Sequence, residues 1–446
     1  MFLSDKINLL SDVIEKTKKL GATDADAIMI NSTSINTEVR LEKLISLERS
    51  EDVSLGLRIL IDGKQAIVST SDLSKSSIEQ LLERCISMAK VTPENPYLSI
   101  ATKDQIVKKI LELDLYDGQE PSAEELINLT MIAEATALNN AEITNSDGAS
   151  AGHSSNTIFF AASNGFLQTY NTSSNGISVS VIAGKDDDMQ TDYSYSQARF
   201  REDLKSPEEI GKEAAERAIK KLKSRKIATS KMPIIFDSRV ARSLLSAFAS
   251  SVNGFAVSRG TSFLIDHLEK EIFNPNISII DDPFIIRGLG SRPFDAEAIM
   301  GSKLNIVDKG ILKSYFLDLQ TAKKLKMQTT GHATRGIASA PSPSCSNLYM
   351  LPGKSSLDEM IKSIKKGLLV TEVFGHGANI ITGEYSQGAS GFYIENGEIT
   401  FPVSEVTIAG NLKEMFKQML PANDLKFESR INSPSLLIEK MTVAGV

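Results

Sequence analysis

Cysteine is scarce in this chain of 446 residues, and its 49 lysines and arginines are outnumbered by 56 acidic residues; each feature excludes a class of protein. The two cysteines, Cys85 and Cys345, cannot form a disulfide framework, so we expect a reducing, cytoplasmic environment. The net charge of -7 argues against a nucleic-acid partner, because phosphate binding needs an excess of lysine and arginine. No apolar run reaches the ~18 residues of a membrane-spanning helix, and the N-terminal residues do not resemble a signal peptide.

Histidine is equally scarce. The four residues are His153, His267, His332 and His376, and no two are spaced four apart, the spacing that places two imidazoles on one helix face to bind zinc. His267 is followed by two glutamates, Glu269 and Glu271, but it lacks a second histidine and is interpreted as part of a solvated helix face. The sequence therefore predicts no metal ligand in this chain.

One short motif raises the alternative of a serine hydrolase. Gly148-Ala-Ser-Ala-Gly152 matches the G-x-S-x-G pattern, with His153 adjacent. A nucleophile elbow needs a strand before the serine and a helix after it, whereas residues 145–148 favour a turn and residues 157–160 a strand. We interpret the motif as a loop. A stand-alone hydrolase using Ser150 is kept as a third hypothesis, after the two that are given at the end of this section.

Helix starts are marked by capping boxes. In each, a serine hydroxyl accepts a hydrogen bond from the backbone amide of a glutamate three residues later, and the carboxylate of that glutamate accepts from the backbone amide of the serine. A first helix is also predicted over residues 6–19, ending before Gly21. The four serine–glutamate pairs are Ser76 with Glu79, Ser122 with Glu125, Ser206 with Glu209, and Ser356 with Glu359.

Strands are indicated by apolar runs that flank tight-turn dipeptides. Asp62-Gly63, Asn164-Gly165 and Asn396-Gly397 predict hairpins with type I′ turns, whose two central residues have positive φ, and Gly310 predicts a fourth hairpin. The elements predict an α+β protein. Its N-terminal α/β region would contain duplicated strand–helix units, and its C-terminal domain would be a mostly antiparallel, curved β-sheet with a few helices. The predicted domains are residues 1–100, 101–228 and 229–446.

A glycine-rich stretch over residues 373–403 is the most informative part of the sequence. Its glycines can supply turns and bulges in a curved sheet, or they can let an extended peptide approach a sheet rim as an extra strand. Both interpretations remain open. The candidates for a peptide cleft are Gly375, His376, Gly377, Gly383, Ser386, Gly388 and Gly391.

This stretch, with residues 331–336 and the hairpin at residues 308–316, resembles the C-terminal signature of the TldD/PmbA family, in its PmbA (TldE) branch. The resemblance implies a cytoplasmic heterodimer in which a TldD-like subunit carries zinc and degrades unfolded or short peptides. The metal-bearing subunit of that family has a His-Glu-x-x-x-His helix. The corresponding residues here, 238–252, contain no His, Glu or Cys, and residues 427–437 lack the cysteine that the family's metal-bearing subunit has near its C-terminus.

The resemblance therefore implies a subunit with no catalytic residue, no metal ligand and no cofactor of its own, which lines the cleft and pairs with the peptide. Zinc is expected only in the partner, and a homodimer in isolation stays open. An alternative is a non-proteolytic regulatory protein that acts on DNA gyrase or on a toxin–antitoxin system.

Overall fold

The N-terminal half of the protein is organised by one antiparallel six-stranded sheet. A computed structural model describes residues 3–375 and 377–446. The sheet order is β3-β2-β1-β4-β5-β6, and the element order helix, three strands, helix occurs twice. The elements are α1 (Leu3–Lys19), β1 (Asp24–Arg40), β2 (Lys43–Ile61), β3 (Lys64–Thr70), α2 (Lys75–Val91), α3 (Ala123–Leu138), β4 (Ile143–Ala162), β5 (Leu167–Ala183), β6 (Gln190–Ala198) and α4 (Pro207–Lys220).

All four of these helices cover the same face of the sheet. Leu10 of α1 and Leu82 of α2 pack against Met29, Leu57 and Phe159 at one end. Helices α3 and α4 pack in the same way against the alternate side chains of β4 and β5 at the other end. The opposite face is therefore free of helices, and it faces the C-terminal domain.

The C-terminal domain is built around a curved sheet of mostly antiparallel strands. The order is β16-β15-β14-β7-β19-β17, and β16 also pairs with β19, which closes five of the strands into a ring. The elements are β7 (Ser230–Phe236), α5 (Ser238–Ser251), α6 (Gly254–Arg259), β8 (Ile279–Asp281), β9 (Leu304–Asp308), β10 (Ile311–Leu312), α7 (Leu319–Leu325), β11 (Ala333–Thr334), β12 (Ser342–Pro343), β13 (Leu348–Met350), α8 (Leu357–Lys362), β14 (Lys366–Phe374), β15 (Glu384–Glu395), β16 (Glu398–Asn411), α9 (Leu412–Gln418), β17 (Met419–Pro421), β18 (Ile431–Asn432) and β19 (Leu436–Ala444).

Helix α5 packs across this sheet through its apolar stripe. Leu244 and Phe248 are fully buried and share a core with Phe236 of β7 and Val370 of β14. Asp237 caps the start of α5 by accepting from the Arg239 amide. The remaining face of α5 points away from the sheet, toward the N-terminal half.

The two halves meet at the end of the helix-free sheet face. Ile28 and Phe160 pack there against Phe294 and Ala298 of the C-terminal domain. Beside them the Asp26 carboxylate bonds both Arg58 of β2 and Arg335, which follows β11. Burial alone would raise the pKa of Asp26, but the two guanidinium groups outweigh it and hold that pKa below its usual value.

Three further carboxyl groups are buried near this ion triad. Glu297 accepts a hydrogen bond from the Leu319 amide at 2.8 Å. Burial, and then the neighbouring charges of Asp295 and Asp318, raises the pKa of Glu297 well above its ordinary value. The junction between the halves therefore favours an ionised Asp26 and a protonated Glu297.

The predicted α+β class and the C-terminal sheet are confirmed. Ser122 and Ser356 form reciprocal capping boxes, and Ser206 caps α4. The domain boundaries at residues 100 and 228 stay predictions, and one sheet spans the first of them. Over residues 3–375 and 377–446, no helix has the length and apolar character required to cross a membrane.

Four local predictions were wrong. His267 lies in a turn-rich segment between α6 and β8 and not on a helix face, and its Nδ1 lies 2.7 Å from the Ile265 carbonyl oxygen. Helix α2 is capped by Ser74 and not by Ser76. Asn164 lies outside the left-handed region, so residues 163–166 form a longer loop than a type I′ turn. The segment Gly148–Gly152 is not a loop but part of β4, bonded to β1 and β5, because hydrogen bonds from two neighbours outweigh its turn-like composition.

Candidate functional site

The glycine-rich candidates lie on the β14–β15 connection and on β15. Gly375 and Gly383, with φ of 81° and 87°, lie at either end of the connection, in a conformation that favours glycine. Gly377 leaves room for the Gln387 side chain, whose Nε2 donates to the Gly375 carbonyl at 2.9 Å. The prediction for His376 concerns a residue outside those that the structure describes.

The strand glycines allow close packing of backbones. A Cβ atom on Gly391 would lie 1.9 Å from the Leu369 carbonyl oxygen, whereas one on Gly388 would meet Phe374 at an ordinary 3.6 Å. The amide of Ser386 donates to the Gly377 carbonyl at 2.8 Å. Because β15 pairs with both β14 and β16, it has no edge free for an added strand, and a peptide-binding role for these residues stays a prediction.

A free strand edge does occur next to this stretch, at the end of β14. Strand β7 pairs with β14 only at residues 368–370, whereas β14 continues to Phe374 against β15. On the side away from β15, no other described strand pairs with residues 371–374. Thr371 points its carbonyl to that side and accepts from Arg239 Nη2 at 3.3 Å. Because the main-chain groups of successive strand residues point to opposite sides, the amide and carbonyl of Val373, two residues on, lie on the same open side.

This edge borders a cleft between the two halves of the protein. A cavity of about 460 Å³ lies between β6, α5 and the end of β14. The face of α5 that lines it carries Arg239, Arg242, Ser243 and Ser246, spaced as neighbours along one helix face. A second cavity of about 360 Å³ continues over the helix-free sheet face, where serine side chains predominate.

Two tyrosines and two arginines join the wall of the cleft to α5. Tyr193 and Tyr195 of β6 stack at 6.2 Å. The guanidinium of Arg239 lies 5.6 Å from the Tyr193 ring, and that of Arg242 lies 5.6 Å from the Tyr195 ring. Arg242 also donates a hydrogen bond to the Tyr195 hydroxyl. The contacts with β6 therefore restrict the orientation of both arginine side chains.

The charges beneath the cleft are mostly paired. Asp192 bonds Arg239 at 3.0 Å and Lys221 at 2.8 Å, and Lys221 also bonds Glu372 at 2.7 Å. Burial would raise the pKa of Asp192, but Arg239 and Lys221 outweigh it and keep the pKa lowered. Arg242 forms no ion pair with any acidic side chain in the part of the chain that the structure describes.

The donor set of this cleft does not fit zinc. Zinc requires about four ligands, drawn from imidazole, thiolate, carboxylate and water. The side chains that α5 presents are guanidinium groups, which repel a cation, and hydroxyls. Within residues 3–375 and 377–446, no three His, Cys, Asp or Glu side chains gather as a metal site.

The serine candidate is not arranged as a hydrolase. Ser150 lies on the open face of β4 and shares a hydrogen bond of 2.9 Å with Ser178. His153, three residues along the same strand, is buried on the opposite face and bonds Asn175 at 2.8 Å. His332 is also buried, bonded to Asp281 at 2.9 Å. Both cysteines are free and buried, and burial raises the pKa of the Cys85 thiol to about 12.

The sequence did not reveal Tyr193, Tyr195, Arg239 or Arg242. Two signals could have pointed to them. The alternation Tyr193-x-Tyr195-x-Gln197 places three large polar side chains on one face of a strand, and the spacing of Arg239, Arg242, Ser243 and Ser246 gives α5 one polar face.

Comparison with known families covers most of the chain. Residues 25–89 match the PmbA/TldA metallopeptidase domain 1, residues 116–222 its central domain, and residues 229–445 its C-terminal domain. The chain belongs to the PmbA/TldD metallopeptidase family. Since the last match includes α5 and β14 and the central match includes β6, the cleft over α5 lies between two of the matched domains.

Curated relatives extend over the full length. The chain is 36% identical to a metalloprotease PmbA homolog of Haemophilus influenzae. The alignment covers 98% of this chain and 95% of that protein. It is 34% identical to the metalloprotease PmbA of Escherichia coli O157:H7, and that alignment covers 98% of this chain and 96% of the relative.

Solved structures agree on the fold. A candidate modulator of DNA gyrase from Bacteroides thetaiotaomicron has a TM-score of 0.92 at 27% identity, with full coverage of both chains. TldE from Thermococcus kodakarensis has a TM-score of 0.87 at 20% identity, covering 98% of this chain and 100% of that one. At that identity the second comparison concerns the fold alone.

Proposed function

We propose that this chain is the non-zinc-binding subunit of a two-subunit cytoplasmic metallopeptidase that degrades unfolded or short peptides. The chain contributes one wall of the cleft and a strand edge to which an extended peptide pairs. A TldD-like subunit contributes the zinc. The observation that carries this proposal is an open edge of β14 beside a helix, α5, that presents arginine and serine where a zinc site would need imidazole and carboxylate.

The chain's own residues bind and orient the substrate. The open amide and carbonyl of Val373 can form main-chain hydrogen bonds to an extended peptide of any sequence. Most strands of a folded domain already pair with their neighbours, so this recognition favours unfolded or short peptides. Zinc held by the partner would polarise the scissile carbonyl and activate water.

Other observations support the proposal. The full-length relatives carry the name metalloprotease PmbA, and one neighbour of the same fold is named TldE. Relatives named TldD also match this chain, at 27% identity for one that covers 88% of it. The two free cysteines accord with a reducing compartment.

Zinc analysis and a peptidase assay test the division of roles. The chain, a TldD-like subunit and their mixture are each purified and analysed for bound zinc and for cleavage of a fluorogenic peptide. We expect zinc to follow the TldD-like subunit and cleavage to be highest in the mixture. One tightly held zinc per molecule of this chain, with cleavage by the chain alone, would overturn the proposal.

Backbone methylation tests strand pairing. N-methylation of alternate amides in a bound peptide removes every donor on one edge, whereas methylation of the intervening amides leaves that edge intact. One methylated series is expected to lose binding and the other to retain it. Equal loss in both series would contradict pairing with β14. Stoichiometric binding to gyrase without peptide binding would instead favour the regulatory alternative.

A further inference from the structure

Arg242 lines the cavity over α5 and forms no ion pair with any acidic side chain among the described residues. Its guanidinium carries five N–H donors, and one hydrogen bond, to the Tyr195 hydroxyl, uses one of them. We propose that this cavity binds a carboxylate group of the peptide through Arg242. The inference rests on the proposed peptide-binding function and adds the chemical group that the cleft recognises.

The position of the guanidinium suits a planar anion. Arg242 is half-buried, and its hydrogen bond to the Tyr195 hydroxyl holds the guanidinium beside that ring, 5.6 Å from the ring centre. An arginine held in one orientation loses less conformational entropy when it bonds an anion. Ser246 lines the same cavity from α5 and can donate its hydroxyl proton to the same ligand, whereas the Ser243 hydroxyl donates to the Val240 carbonyl at 2.6 Å.

The acidic groups around Arg242 have other partners, and within the described residues none of them forms an ion pair with it. Asp192 is ion-paired with Arg239, and Glu372 with Lys221. Asp237, at the start of α5, accepts from the Arg239 amide. Since these acidic groups already have partners, a negative ligand gains a direct interaction with Arg242.

The cavity also adjoins the open end of β14. Glu372 and Val373 line it together with Arg242. A peptide paired with residues 371–374 therefore passes within reach of the guanidinium. Its carboxylate can be the chain terminus or an acidic side chain, which present the same two oxygens for a bidentate pair.

Three labelled peptides distinguish these sources. The probes are a fluorescein-labelled octapeptide of alternating alanine and serine with a free C-terminal carboxylate, its C-terminal amide, and the amide with one internal glutamate. Binding is measured by fluorescence anisotropy to the full-length chain, alone and mixed with a TldD-like subunit. A charge-assisted bidentate pair predicts that the free acid binds about ten- to a hundredfold more tightly than the amide.

Substitution of the arginine provides the decisive comparison. Arg242→Gln is expected to abolish the preference for the acid, and Arg242→Lys to retain part of it, because lysine keeps the charge but not the planar fork. Arg259→Gln is the matched control, since Arg259 also lies over an aromatic ring, that of Phe255 at 4.4 Å, and is not among the residues lining the cavity. The control should keep the full preference.

The outcomes separate the two proposals. Equal binding of acid and amide by the unsubstituted protein overturns the carboxylate inference and leaves peptide binding intact. Preference that survives Arg242→Gln in a folded variant overturns it as well. No binding of any peptide, alone or in the mixture, defeats both proposals. Recovery of tight binding by the glutamate peptide assigns the site to any carboxylate, and failure to recover assigns it to the chain terminus.

Discussion

Replacing Asp26 by asparagine is expected to destabilise the junction between the two halves of the protein. Asp26 is 1% exposed and is the carboxylate that bonds both Arg58 and Arg335. Asparagine has nearly the same shape but no charge, and its amide would direct N–H donors at a guanidinium. The substitution therefore leaves two cations buried without their counter-charge.

The burial of Arg335 places the cost within the range measured for broken buried ion pairs. Breaking a buried ion pair by removing one partner costs about 3–5 kcal/mol. The side chain of Arg335 is fully buried, and within the described residues its Nε and Nη2 atoms have no hydrogen-bond partner. Arg335 therefore depends on Asp26 alone, and we expect a loss of about 4 kcal/mol in the free energy of unfolding.

Urea denaturation followed by circular dichroism measures this loss at pH 7. Arg49→Gln is the control, because Arg49 is 47% exposed in its ion pair with Glu51 and should change stability by less than about 1 kcal/mol. Because the pKa of Asp26 is lowered in the folded protein, this carboxylate stabilises the wild type above about pH 4, and that stabilisation is lost as the pH falls below about 4. The variant should not show this loss. A change below about 1 kcal/mol at pH 7 would refute the argument.

Three further changes test the junction, the sheet and the serine. The raised pKa of Glu297 favours its protonated form, so the stability from this group is present below about pH 4.5 and lost as the pH rises. Glutamine cannot ionise, so urea denaturation at pH 8 should show Glu297→Gln to be at least as stable as the wild type. Gly391→Ala should destabilise by about 1–3 kcal/mol, since its Cβ would overlap the Leu369 carbonyl, while Gly388→Ala should be nearly neutral in the same assay. Ser150→Ala should change neither labelling by a serine-reactive phosphonate nor peptide cleavage by the mixture, and loss of either would revive the hydrolase hypothesis.

Local chemistry explains which elements could be predicted from the sequence. The capping boxes of α3 and α8 and the turns at Asp62-Gly63 and Asn396-Gly397 depend on residues that are neighbours in the chain. The family signature likewise lies in one continuous stretch. Such features need no knowledge of which strands become neighbours.

The missed features depend on contacts between distant segments. Residues 148–155 of β4 are rich in serine and glycine and look like a loop, and their strand conformation comes from pairing with β1 and β5. The open edge of β14 exists because β7 ends at Phe236 while β14 continues to Phe374, which neither segment shows alone. Arg242 stands out only once Asp192 is seen to pair with Arg239.

The open edge and the arginine have different roles in the proposed peptide recognition. Main-chain hydrogen bonds repeat every two residues, so a peptide paired with four residues of β14 can shift by two without losing a bond. A single fixed cation at the end of that edge breaks this equivalence, because only one register brings a carboxylate to Arg242. If both proposals hold, strand pairing would account for affinity without sequence preference, and the guanidinium would fix where along the peptide the partner's zinc acts.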